Sequence, residues 1–213
     1  MKRWGGQPDL HFDEKELNTN LGKDNFIFVG SSCDMFAREI PNKWIYETLH
    51  RCSLFDNKYL FQSKNPMRFL EMKSHLPENV ILGTTIESDI RHSEMGNAPD
   101  VIHRTVAIGV LKSFDFKAIV TIEPVMDFTV DRLWNLIDMC KPDWVNIGAN
   151  TNTKVKLPEP SPEKVMELIE RLKEITEVKI KPNLKRLLKQ MEVSGKVVKM
   201  PEFDGKIWNQ LPK

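Results

Sequence analysis

NFIFVGSSCDMF, residues 25–36, is an unbroken apolar run, Phe26 to Val29, that ends abruptly in Gly30, Ser31, Ser32, Cys33 and Asp34. The run is long enough for a strand, and its lack of in–out alternation is what a strand covered on both faces requires. The same pattern recurs along the chain. KYLFQ (58–62), NVILGTT (79–85), AIVTIEP (118–124), DWVNIGA (143–149) and, more weakly, EVKIK (177–181) are short apolar runs that stop at polar residues. Between them lie segments with helical spacing. Ile45, Leu49 and Cys52 follow Pro41, and Phe69, Leu70 and Leu76 follow Asn65-Pro66. Leu133, Leu136, Ile137 and Cys140 follow Thr129, and Val165, Leu168, Ile169 and Leu172 follow Ser161-Pro162. A polar cap with proline at the first helical position is a helix start, and Ser161-Pro162 is the clearest one. Strands of this length alternating with helices predict βαβ units and a parallel sheet, either a full or partial (βα) barrel or an open doubly wound sheet.

The totals fit a soluble globular chain of 213 residues, with 40% hydrophobic and 29% charged residues. The 31 basic and 30 acidic residues leave a net charge of +1, so bulk charge gives no support to a nucleic-acid partner. No apolar run reaches the roughly 18 residues of a membrane span, and MKRWGG at the start is no signal peptide. Three widely spaced cysteines, Cys33, Cys52 and Cys140, imply neither a disulfide framework nor a metal motif, and a cytoplasmic location is expected. The domain reading is an N-terminal arm at 1–20, a β/α domain at 21–190 and a C-terminal packing arm at 191–213. The absence of GxGxxG and GxxxxGK[ST] after any strand counts against dinucleotide and P-loop sites.

In parallel β/α folds the carboxyl ends of the strands carry the site. Here those ends read Gly30-Ser31-Ser32-Cys33-Asp34, Gln62-Ser63-Lys64, Gly83-Thr84-Thr85-Ile86-Glu87, Glu123-Pro124 and Asn146-Ile147-Gly148-Ala149-Asn150, with Lys181 and Asn183 last. Five polar ends in succession predict a mixed-charge pocket on one face. Each element of it has a structural reading as well. Ser31, Ser32 and Asp34 read equally as helix caps or ligand contacts. Glu87 and Glu123 resemble a two-carboxylate acid–base pair, or equally two ion pairs with Lys64 or Lys181. Cys33 reads as a small buried residue rather than a nucleophile, since no histidine is near it in sequence. His92 and His103 read as solvent-exposed, and Trp44, Trp134 and Trp144 as packing residues.

FVGSSCDMF, KYLFQSKNP, LGTTIES, TIEPVMDF, VNIGAN, LPEPS and the tail FDGKIWNQLP, in that order, resemble a phage-associated, radical-SAM-like family of unassigned function. The resemblance implies a partial (βα) barrel that holds S-adenosylmethionine at its carboxyl strand ends against a [4Fe–4S] cluster, whose electron splits the sulfonium to give a carbon radical. It further implies cofactor contacts from Gly30, Ser31, Ser32 and Asp34 to the methionine moiety and from Glu87 to the ribose. Asn146 to Asn150 would meet the adenine, and Lys64, Thr85 and Glu123 complete the set. A first strand and a CxxxCxxC loop, which precede MKRWGG in the family, are missing here, and Cys33, Cys52 and Cys140 lack that spacing. An N-terminally truncated form is therefore expected, with no metal ligands in this chain. Its exposed FIFV edge would be open to self-association. Two alternatives stand beside it: a cluster-free enzyme using Glu87 and Glu123 in acid–base chemistry, and a non-catalytic binding protein of phage or prophage origin. The substrate is unspecified.

Overall fold

In a computed structural model, residues 10–193 are described apart from 153. They form one parallel sheet whose strands follow chain order, β1 (Phe26–Val29), β2 (Lys58–Gln62), β3 (Val80–Thr85), β4 (Lys117–Ile122), β5 (Trp144–Ile147) and β6 (Glu177–Ile180). Every neighbouring pair is parallel. The crossovers carry α1 (Asn42–Ser53), α2 (Met67–Glu71), α3 (Val101–Lys112), α4 (Val130–Cys140) and α5 (Pro162–Lys173), and α6 (Lys185–Val193) follows β6. A sheet that advances one strand per crossover keeps all its helices on one face. That face is the main core, where Tyr59, Phe61, Leu82, Val120, Val145 and Ile147 meet Leu49, Phe69, Leu111, Ile137, Leu168 and Leu188.

Among the described residues, no helix covers the other face. Its lower part is a separate apolar cluster of Leu60, Ile81, Ile119 and Trp144, with Phe26 and Phe28 against it. Because side chains alternate across a strand, the residues two positions further on share this face, and there the character changes from apolar to polar.

Ser161 caps α5 through its hydroxyl, which accepts from the Lys164 N–H, with Pro162 at the first helical position. α2 starts one residue later than Asn65-Pro66 suggests and lasts one turn before a 3-10 segment at Lys73–His75. α3 lacks the helical spacing that marks the others, because VIHRTVAIGVLK has apolar residues all round. Of the N-terminal arm, residues 10–20 lie against α1. Phe12 stacks on Trp44 at 5.5 Å, and Arg51 donates to the Thr19 carbonyl at 2.9 Å. α6 runs on to Val193, and the remainder of the C-terminal arm, 194–213, lies outside the described residues. No helix among the described residues is long and apolar enough to cross a membrane.

Candidate functional site

The parallel sheet brings every carboxyl strand end to one edge, and the register fixes which residues align there. Thr85 pairs with Thr121, Thr121 with Asn146, and Asn146 with Lys179, one row across four strands. One row below, Gln62 aligns with Gly83. The two rows are joined by side chains: Gln62 Nε2 donates to Thr85 Oγ1 at 3.2 Å, and Thr121 Oγ1 donates to Gln62 Oε1 at 3.4 Å. Lys179 Nζ lies over the Trp144 ring, 4.3 Å from its centre, so the apolar cluster and the polar rows meet at β5 and β6.

Above these rows stand two ionic clusters. Glu87 is buried just past β3. It pairs with Lys64 from the end of β2 and, at 2.8 Å, with Arg104 Nη1. Arg104 is itself fully buried. It donates to the Pro99 carbonyl at 2.7 Å and to the Thr85 carbonyl at 2.9 Å. Glu123, just past β4 and joined to Pro124 by a cis peptide bond, pairs with Lys181 at the end of β6. Its Oε1 accepts from Asn183 Nδ2 at 2.6 Å, and Asn183 Nδ2 and Oδ1 also bond the backbone of Ala149. Both carboxylates are thus engaged by cations, which is the ion-pair arrangement that the sequence held open against an acid–base pair.

Gly148 stands where these groups crowd. A Cβ there would come within 2.6 Å of Glu123 Oε1 and 2.9 Å of Asn183 Oδ1, so only glycine leaves this cluster undisturbed. Among the described residues, Asn146 Oδ1 and Arg104 Nη2 in this region have no hydrogen-bond partner, and Glu87 Oε1 has only the ionic contact with Lys64. Buried polar groups are nearly always satisfied, so these atoms stand out within the strand-end region.

The structure therefore brings Thr85, Glu87, Glu123, Asn146 and Lys64 to one edge, but it gives the other candidates local work. Gly30 adopts a left-handed turn with φ of 70°, where a side chain would be strained, and its carbonyl accepts from Cys33 N–H. Ser31 and Ser32 are exposed in that turn. Asp34 is a clasp between two loops: Oδ1 accepts from Phe36 N–H at 3.1 Å and Oδ2 from Lys64 N–H at 2.9 Å. Asn150 closes its own loop, donating to the carbonyls of Asn152 and Val155.

Cys33 is exposed in the β1 turn rather than buried, because the left-handed Gly30 turns the chain outward before Phe36 enters the core. Cys52 and Cys140 are buried in α1 and α4, where desolvation pushes each thiol up to about 12. His103 is exposed on α3, whereas His92 is half-buried with Nε2 2.9 Å from the Asp127 carbonyl. Asp127 pairs with Lys164 at 2.8 Å, and that hydrogen bond lowers its carboxyl below the ordinary aspartate value.

Two contributors escaped the sequence reading. Thr121 sits inside a strand, not at its end. Arg104 lies on the buried stripe of α3 with Ile108 and Leu111, and a charge at such a position is the signal that marks it. No protein-family model matches this chain, and no curated protein or solved structure matches it.

Proposed function

We propose that this chain is a radical-SAM-like protein of the partial-barrel type that binds S-adenosylmethionine at its carboxyl strand ends. The observation that carries the reading is the registered polar row Thr85–Thr121–Asn146, flanked by the Glu87 and Glu123 ion clusters and containing the orphaned Asn146 Oδ1. A ligand with an amino-acid zwitterion and a nucleoside suits such a site. Lys64 and Lys181 offer cations to a carboxylate, the part-exposed Glu123 offers an acceptor to an ammonium or ribose hydroxyl, the buried Glu87 holds Lys64 in place, and Asn146 Oδ1 offers an acceptor to an N–H. Gly148 keeps side chains away from the Glu123 corner. When bound, S-adenosylmethionine supplies an activated sulfonium; the protein's part is to bind and orient it.

The cysteines of this chain do not fit the iron–sulfur cluster that the resemblance also implies. They lie in a turn and in two different helices, two of them buried, and a cluster site needs thiolates that converge. Binding is therefore the function proposed, with the substrate left open. Calorimetric titration with S-adenosylmethionine tests it. Saturable binding is expected, weakened about tenfold or more in Asn146→Ala, the scale of one buried hydrogen bond. A folded protein that takes up neither S-adenosylmethionine nor S-adenosylhomocysteine at millimolar ligand would overturn it.

A further inference from the structure

Half of the large apolar side chains exposed on the described surface crowd one region. Ile102, Val106, Val110 and Phe114 follow one another at four-residue intervals along and just past α3. Met139 on α4 lines one groove with Ile102, Ile90 lies in the chain between Asp89 and Arg91 of that groove's rim, and all six are between 39% and 51% exposed. α3 buries a second apolar face against the sheet through Ala107, Ile108 and Leu111. A helix apolar on both sides is one that expects cover on both.

Beside this ridge runs a groove. α3 and α4 approach closely where Gly109 faces the Met139 carbonyl, only 2.9 Å from where a Cβ would stand. Toward their N-termini they part, leaving a cavity of about 560 Å³ whose apolar walls are Met95, Val101, Ile102, Leu136 and Met139. Its polar rim balances, with Asp89 and Asp100 against Arg91 and Arg132. The same face thus presents a ridge at the four-residue spacing that packs into helical grooves, a groove of matching apolar character, and no excess of one charge.

We propose that this face is a two-fold interface in which the Ile102–Val106–Val110 ridge of one copy seats in the α3/α4 groove of a second copy. An isologous contact needs a self-complementary patch, and ridge and groove on one surface supply it. The charge balance favours a second copy over a polyanionic partner such as nucleic acid, which would select a basic face. The groove is walled by the loop that begins two residues past Glu87 and by the first turn of α3, whereas β1 is at the edge of the sheet, separated from β3 and β4 by β2.

The test is light scattering coupled to size exclusion on the full chain at micromolar concentration. The expected result is twice the single-chain mass, falling to the single-chain mass in Val106→Asp, which charges the ridge, and in Met139→Asp, which charges the groove. Ile175→Asp, an exposed apolar position off this face, should keep the wild-type mass, and far-ultraviolet circular dichroism confirms that each variant is folded. A wild-type protein that runs as a single chain overturns the proposal. So does a dimer that survives both Val106→Asp and Met139→Asp.

Discussion

Replacing Arg104 with methionine, which keeps the aliphatic length and removes the guanidinium, should be the most damaging single change at the strand ends. Arg104 and Glu87 are both essentially without solvent contact, so no water can substitute for the lost partner. Three acceptors lose a donor at once: Glu87 Oε2 and the carbonyls of Thr85 and Pro99. Breaking a buried ion pair typically costs about 3–5 kcal/mol. Lys64 remains to hold Glu87, which argues for the lower end, about 3 kcal/mol. For a chain of this size each kcal/mol moves the melting temperature by roughly 2–4 °C, so Arg104→Met should melt about 6–12 °C lower. Urea denaturation followed by circular dichroism measures the free energy, and calorimetry the temperature. Glu87→Gln should also destabilise, and the double variant should cost less than the sum, with a coupling of about 1–3 kcal/mol. If Arg104→Met falls within about 1 kcal/mol of wild type, or if the two costs simply add, the buried cluster does not hold these strand ends as argued.

Gly148→Ala should push a methyl into Glu123 and Asn183, destabilise the protein by about 1–3 kcal/mol and weaken S-adenosylmethionine binding; unchanged affinity in calorimetry would place the ligand elsewhere. Asp127, held by Lys164, titrates below the ordinary value of 3.8 in the folded state, so its contribution to stability is present above that pH and is lost as pH falls through the folded value. The stability gap between wild type and Asp127→Asn should accordingly be constant near neutrality and close below about pH 4, and a gap that widens on acidification would contradict the sign. Of the three thiols, only Cys33 should react with an aromatic disulfide reagent in the native protein. It should react more slowly than a free thiol, because partial desolvation and then neighbouring Asp34 raise it, whereas denaturant should release Cys52 and Cys140. Native titration of two or three thiols would show that α1 or α4 opens.

The strands and most helices could be read directly from the chain, because burial on both faces leaves continuous apolar runs and a one-sided helix leaves a periodic stripe. FIFV, KYLFQ and the Ser161-Pro162 start are local signals, and local energetics alone produce them. α3 left no such stripe, since its outer face is apolar too, and Arg104 was hidden with it. The strand ends were equally legible as a set of polar stops, which is why Thr85, Glu87, Glu123 and Asn146 fall together at one edge. What those residues do there was not legible. Asp34 and Asn150 look like ligand contacts in one dimension, yet their oxygens and nitrogens are occupied by backbone only a few residues away or one loop across. Glu87 and Glu123 carry the same chemistry in the sequence. Their partners, Arg104 and Lys64 for one, Lys181 and Asn183 for the other, come from elements 17 to 60 positions distant. Periodicity encodes which face of an element is buried, because that depends on near neighbours. The partner of a buried charge depends on how crossovers of different length close in space, and only the assembled sheet decides it.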